Sequence, residues 1–311
     1  MTSSDRPLLV ILGPTAAGKT GLAIAIARAL NGEIIGADSR QIYQHMNIGT
    51  AKPTAEQRAA VPHHLIDLIP PDGDLTLARY QRMTYDCIDA AQARGSLPML
   101  VGGTGQYLTA VTEGWSIPEV PPDYALRNEL EAFAAAQGAD ALHARLVQVD
   151  PDAAKRIHPN NVRRVIRALE VSQIAGQPIS VLQRKRPPPY RIKELGLTLE
   201  RPLLYEQADA RVDQMIAEGF LAEVRRLLDM GYSRSLPSMS GLGYRELAAH
   251  LLDGVALETA IADTKVATHD FIRRQETWFR GHDNGILWHN VRQIDPGAIV
   301  AICARWLSER P

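Results

Sequence analysis

One stretch constrains this chain more than any other: Gly13-Pro14-Thr15-Ala16-Ala17-Gly18-Lys19-Thr20, spaced G-x-x-x-x-G-K-T. Before it, Leu8 to Leu12 is an apolar run of strand length. After it, Thr20 to Leu30 is rich in helix formers, and Asn31-Gly32 is a stop signal. A Gly-rich turn between strand and helix points successive backbone N–H groups inward, and the helix N-terminus adds partial positive charge. Lys19 adds a full charge, and the Thr20 hydroxyl can ligate Mg²⁺. The chain therefore opens with an anion cradle, and the question is which phosphate it holds.

The pattern repeats downstream. "EIIGADSRQIY" reads as a strand over Glu33–Ala37 ending at Asp38, and "HHLIDLI" as a third apolar strand-length run. "LARYQRMTYDCIDAAQAR" is helical and closed by Gly95, and "LPMLVGGTGQYLTAVTEG" is again strand, Gly turn and helix. Strands alternating with helices predict an α/β fold, a P-loop NTPase-like parallel sheet with flanking helices. Its sites lie at the carboxyl ends of the strands. The phosphate loop, Asp38 and Thr104 all sit at such ends, so three distinct groups converge on one crevice.

After the Pro-rich "SIPEVPPD" the alternation stops. A helical region runs from about Tyr124 to Leu182, closed by "RKRPPPYR", and "ELGLTL" then returns as a strand before further helical segments. This predicts an all-helical domain, residues 116–192, inserted between core segments 1–115 and 193–311. From Lys155 to Lys193 the chain carries ten basic residues against one acidic residue, Glu170. Such a block can neutralise several nucleic-acid phosphates, or it can be a solvated face. Arg163, Arg164 and Arg167 can share one side of a helix. Because the whole chain has a net charge of −1, any attraction for nucleic acid must be local.

Two distant cysteines, Cys87 and Cys303, argue against a disulfide framework or a zinc site and suit a reducing compartment. No apolar segment reaches the length of a membrane span and no secretory leader is visible, so a cytoplasmic chain with no membrane partner is expected.

The site departs from a nucleotide site. The strand before Gly102-Gly103-Thr104-Gly105 ends without a carboxylate, where a P-loop NTPase usually helps hold Mg²⁺. Asp67 in "HHLIDLI" is the only comparable candidate. Asp38 would repel a polyphosphate unless it takes a proton from an incoming nucleophile; its alternative is a turn cap. Three classes stay open: a transferase with a diphosphate leaving group, a small-molecule or nucleotide kinase, and a non-catalytic RNA-binding protein.

Eight segments in order, Gly13–Thr20, "ADSRQIY", "NIGTAKP", "VPHHLID", "VGGTGQYL", "IHPNNVRRVIRALEV", "GLGYREL" and "RRQETWFR", resemble the tRNA dimethylallyltransferases over about residues 8 to 282. The resemblance implies transfer of a dimethylallyl group from dimethylallyl diphosphate to N6 of the adenosine beside the anticodon, with Mg²⁺. It implies that Gly13, Pro14, Thr15, Ala16, Ala17, Gly18, Lys19 and Thr20 hold the diphosphate and that Thr20 helps place the metal. Asp38 would be the general base, and Thr104, Lys19 and Arg211 would act at the reacting centre. Contacts to the tRNA anticodon stem-loop would come from Asp38, Ser39, Arg40, Gln41, Thr104, Arg127, Val162, Arg163, Arg164, Val165, Ile166, Arg167, Gly243, Tyr244, Arg245, Arg274 and Gln275. A monomer is expected.

The chain departs from the family pattern at Gln207-Ala208, at His269-Asp270-Phe271 and at Asn161. Three features read as decoys. Asp86 and Asp89, spaced i, i+3, belong to a solvated helix face. Adjacent His63 and His64 on a strand point to opposite faces and make no metal pair. Trp278 and Trp288 default to packing.

Overall fold

The computed structural model describes residues 6–282 and 285–309. The chain divides into two compact units, Glu113–Pro188 and the remainder.

The larger unit is built on β1 (Pro7–Leu12), whose alternate side chains enter opposite cores. Leu9 and Ile11 face one side, and Leu8, Val10 and Leu12 the other. Burial on both faces is what a central parallel strand requires. Helix α1 (Lys19–Leu30) follows the phosphate loop and ends at Asn31 in a left-handed cap, where the sequence placed its stop. Then come β2 (Gly32–Ala37), α2 (Ala55–Ala60), β3 (His63–His64), α3 (Leu77–Ala93), β4 (Leu97–Gly102) and α4 (Gly105–Thr112).

The smaller unit holds α5 (Tyr124–Gln137), α6 (Ala139–Val149), α7 (Pro151–Arg156), α8 (Val162–Ala175) and α9 (Ile179–Leu182). The larger unit resumes with β5 (Arg191–Thr198), α10 (Arg201–Ala217), α11 (Phe220–Asp229), α12 (Tyr244–Asp253), α13 (Leu257–Gly281), β6 (Leu287–Asn290) and α14 (Pro296–Ser308).

The six strands are all parallel, in the order β3-β2-β4-β1-β5-β6. The chain leaves β1 for β2 and later returns to insert β4 between them. The strand order thus reverses beside β1, and a crevice opens at its carboxyl end. One face of the sheet is covered by α1, α10 and α14 through Ile26, Leu204 and Ile299, and the other by α3 and α4 through Ile88 and Leu108. A third cluster joins α11, α12 and the Ile42–Met46 segment through Phe220, Val224, Leu247 and Met46.

Three expectations change. "HHLIDLI" yields only the two-residue β3, because Leu65 and Asp67 adopt left-handed φ of 61° and 57°, which breaks pairing. The segment "LWHN" is a strand, β6, in a region read as helical; it is short, lies at the sheet edge and carries no alternation signal. Arg191 and Ile192, expected in the insert, already belong to β5.

The smaller unit packs its own core from Leu130, Leu142, Leu146, Val165, Ile166 and Leu169. Its two ends pair with each other: Trp115 bridges Lys185, and Ser116 N–H donates to Arg184 O at 2.7 Å.

Candidate functional site

The phosphate loop takes its shape from Gly13, Ala16 and Gly18, with φ of 147°, 67° and 72°. Gly13 is required by contact as well as φ, since a Cβ there would collide with the Leu197 carbonyl of β5. Not every loop amide is available to an anion. Pro14 has none, Ala17 N–H donates to Pro14 O at 3.3 Å, and Thr15 N–H donates to Gln275 Oε1 at 2.8 Å. The amides of Ala16 and Gly18 have no partner among the described residues, and those of Lys19 and Thr20 open the first turn of α1. Lys19 Nζ donates to Pro14 O at 2.7 Å, folding the ammonium back over the loop.

Loop, β2 and β4 ends, α10 and α13 enclose one cavity of about 350 Å³, lined by Thr15, Lys19, Thr20, Asp38, Thr104 and Arg211 among others. Its rim is cationic, with Lys19, Arg40, Arg211 and Arg274 against the single carboxylate of Asp38. Burial pushes the Lys19 ammonium down to about 8; Asp38 draws it up and Arg211 pushes it further down. Arg211 is lowered as well, again chiefly by burial. It has no hydrogen-bond or ion-pair partner among the described residues. Two desolvated cations that repel each other are a receptor for a multiply charged anion. One wall is apolar: Ala208, Val212 and Met215 share Arg211's face of α10 at helical spacing, joined by Phe220, Leu242 and Phe271.

Asp38 is half-buried at the end of β2. Its Oδ1 accepts from Arg40 N–H at 2.8 Å and Gln41 N–H at 3.4 Å, so the turn-cap role is real. Oδ2 has no partner among the described residues, and the same carboxylate lines the cavity. Capping fixes the group that faces the site. Thr104 is tied to the same turn, its Oγ1 accepting from Ser39 N–H at 3.0 Å. Asp67 instead pairs with Lys52 and, at 3.0 Å, with Arg58.

No group of three or more His, Cys, Asp or Glu side chains that could hold a metal occurs among the described residues. His63 and His64 both line the cavity but serve separate partners, Val61 O and Glu33 Oε2, each at 2.7 Å. Asp89 pairs with Arg6 and accepts from Tyr190 Oη at 2.9 Å, an ordinary surface cluster. Trp278 packs on Gly105 and donates to Thr109 at 3.2 Å.

Residues expected to face RNA separate into three groups. Ser39, Arg40, Gln41, Thr104 and Arg274 line the cavity. Arg40 donates to Pro237 O at 2.6 Å and to Ser240 Oγ at 3.2 Å, and Gln41 Nε2 to Thr50 O and Ala51 O at 3.1 Å. Arg163 and Arg164 are exposed on α8, Val162 is half-buried, and Arg245 is exposed beside Glu246. The third group is committed to structure. Val165 and Ile166 are core residues of the helical unit. Arg127 and Arg167 both bond the fully buried Glu170, Arg127 at 2.8 and 2.9 Å, and Arg167 also donates to Val120 O at 3.0 Å. Tyr244 donates to Glu223, and Gln275 is buried with its amide spent on two loops. Gly243 takes φ 79° at the head of α12, where a Cβ would meet the Phe220 ring.

The sequence reading missed Glu223. It accepts from Asn47 N–H at 2.8 Å, Ile48 N–H at 2.9 Å, Gly49 N–H at 3.2 Å and Tyr244 Oη at 2.7 Å, pinning the loop that carries Gly49 and Thr50 into the cavity. The signal was available: Glu223 shares the buried face of α11 with Phe220, Val224 and Leu227.

Two of the departures from the family pattern find partners. Asn161 still caps α8, accepting from Arg164 N–H at 3.4 Å. His269 bonds Asp209 at 2.8 Å and stacks on Tyr205, joining α13 to α10.

A phosphate loop at the reversal of a parallel sheet, two desolvated cations, a poised carboxylate and an apolar wall define a P-loop-type group-transfer enzyme. The family model described as IPP transferase matches residues 41–282. A tRNA dimethylallyltransferase of Roseiflexus castenholzii is 56% identical over 274 residues, 88% of this chain and 90% of that protein. One from Dehalococcoides mccartyi is 45% identical over 303 residues, 97% and 93% of the two chains. The crystal structure of a tRNA isopentenylpyrophosphate transferase from Bacillus halodurans aligns at a TM-score of 0.73 and 41% identity over 98% of each chain. A eukaryotic dimethylallyltransferase described as acting on tRNA aligns at 0.83 and 26% identity, covering 98% of this chain and 80% of that one. This chain belongs to the IPP transferase family, the tRNA dimethylallyltransferases. The matched span begins at residue 41, so the phosphate loop and Asp38 support the assignment independently of it.

Proposed function

We propose that this chain transfers the dimethylallyl group of dimethylallyl diphosphate to N6 of the adenosine adjacent to the anticodon in tRNA. The observation that carries the reading is the single cavity in which Lys19, Arg211 and Asp38 meet an apolar wall. The diphosphate lies against the amides of Ala16, Gly18, Lys19 and Thr20 with Lys19 and Arg211 on its charge, and the prenyl chain lies against Val212, Met215 and Phe220. The N6 lone pair forms a bond to C1 of the prenyl group. The C1–O bond breaks, its electron pair leaves with the diphosphate, and the N6 proton passes to Asp38. Charge grows on the leaving group as the bond breaks, so contacts to Lys19 and Arg211 strengthen in the transition state. Thr104, fixed to Ser39, holds the reacting centre beside Asp38.

Mg²⁺ fits this donor set. A hard cation that keeps most of its waters needs only one or two protein oxygens plus phosphate oxygens, and the exposed Thr20 hydroxyl at the cavity edge supplies one. When bound, the ion neutralises part of the leaving group's charge.

Arg163 and Arg164 on the helical unit are the exposed cations for the anticodon stem-loop. The adenosine leaves its stack at a cost of a few kcal/mol, least for an unpaired base. No helix among the described residues is long and apolar enough to cross a membrane, and a cytoplasmic monomer suits a tRNA substrate.

Ligand protection tests the reading. Dimethylallyl diphosphate with Mg²⁺ raises the melting temperature, and ATP at the same concentration does not. Steady ATP turnover stimulated by a small-molecule acceptor contradicts it and favours a kinase.

A further inference from the structure

Gln275 sits in the buried stripe of α13 that runs Ala260, Thr264, Thr268, Ile272, Gln275 and Phe279. It is 5% exposed. Its Oε1 accepts from Thr15 N–H in the phosphate loop and its Nε2 donates to Gly103 O after β4, both at 2.8 Å. One rigid amide thus spans two loops from strands that are neighbours in the sheet. The next residue, Thr104, accepts from Ser39 N–H at 3.0 Å, and its own N–H donates to Ala37 O at 3.1 Å. An unbroken chain of bonds therefore links the phosphate loop to the turn that carries Asp38. Gly103 permits the approach, because a Cβ there would strike the Gln275 amide.

We infer that Gln275 is a positioning residue that holds the phosphate loop in register with the turn bearing Asp38, so that leaving group and base share one geometry. The inference rests on the proposed prenyl transfer for its kinetic consequence, and on the loop alone for its binding consequence. The side chain is buried and is not among those that line the cavity. Its amide also occupies Thr15 N–H, which leaves the diphosphate to the amides further along the loop. Displacements of about 1 Å at a reacting centre can cost about 10²-fold in rate.

The test compares Gln275→Met, which keeps length and volume but makes neither bond, with Gln275→Glu. Inorganic diphosphate affinity is measured by calorimetry, tRNA affinity by filter binding, and the transfer rate in single turnover. Gln275→Met is expected to weaken diphosphate about tenfold and slow transfer by about 10–100-fold, with tRNA affinity within about twofold of wild type. Gln275→Glu accepts from Thr15 but donates to Gly103 only when protonated. Its transfer rate relative to wild type is therefore expected to rise as the pH is lowered, a dependence that Gln275→Met lacks. Wild-type diphosphate affinity and rate in Gln275→Met, or parallel pH profiles for the two variants, would overturn the inference. If the wild type binds diphosphate and shows no transfer, the prenyl-transfer reading fails, and the diphosphate arm still decides whether Gln275 positions the loop.

Discussion

On the proposed reading, the depressed Lys19 ammonium makes donor binding sensitive to pH. Its pKa is lowered to about 8, first by burial and then by Arg211, against the pull of Asp38. A bound diphosphate places negative charge on the ammonium and restores its preference for the proton. The sign follows. Below about pH 8 Lys19 is already charged, and binding takes up no proton. As pH rises through that value, the free site loses its charge, and binding must take up a proton that is increasingly scarce. Affinity should then fall about tenfold per pH unit until the pKa of the bound state is reached. At a pH equal to the free-site value, about half a proton is taken up per donor. Titration calorimetry in two buffers of different ionisation enthalpy, from about pH 7 to about pH 9, reads both quantities. The donor's terminal phosphate loses its last proton at about pH 6, so its own titration is confined to the foot of this window. Lys19→Arg abolishes the dependence, because a guanidinium stays charged throughout. Asp38→Asn removes the pull that holds the proton, so the inflection moves to lower pH. A flat affinity across the window with no buffer-dependent heat in the wild type would rule out this coupling.

Asp38→Asn should lower the transfer rate by about 10²–10⁴, the usual contribution of a positioned general base, with tRNA affinity unchanged; a rate within about threefold of wild type removes Asp38 from that role. Replacing Arg163 and Arg164 by Ala should weaken tRNA binding and flatten its salt dependence by about 0.7–0.9 for each phosphate no longer neutralised; binding curves at several salt concentrations check it, and parallel slopes at equal affinity mean a solvated face. Arg167→Ala should instead cost about 1–3 kcal/mol of stability by urea titration, since it strips one of two cations from buried Glu170; an unchanged unfolding midpoint would mean that Arg127 alone satisfies the carboxylate. Glu223→Gln should destabilise the chain by about 1–3 kcal/mol, because an amide cannot accept as many of its four hydrogen bonds; equal urea midpoints would contradict this.

The sheet was legible where its signals were local. β1, the phosphate loop and α1 announce themselves within a single run of residues, through an apolar stretch, fixed glycines and a stop at Asn31. Asp38 and Thr104 were placed correctly in the crevice because a parallel sheet gathers its strand ends. What stayed hidden depends on partners distant in sequence. Thr15 and Gln275 are 260 residues apart, and nothing in "RRQETWFR" says which of its polar residues turns inward. Arg163 and Arg167 look equivalent on a helix wheel. They differ because Glu170 lies one turn from Arg167 on the buried side of α8, where a carboxylate at 0% exposure must be paired. Short elements failed for another reason: β6 has four residues, and β3 is cut to two by left-handed backbone at Leu65 and Asp67.

One cavity, on the proposed reading, binds a prenyl diphosphate and delivers its carbon to an adenosine of tRNA. Unmodified tRNA, labelled dimethylallyl diphosphate and Mg²⁺ are incubated with the protein, and the tRNA is digested to nucleosides. Label in a single N6-alkylated adenosine next to the anticodon, formed with release of one diphosphate and sharply reduced in Asp38→Asn, is the expected result. Unlabelled tRNA under conditions where the protein binds both substrates would contradict prenyl transfer and leave a non-catalytic RNA-binding protein.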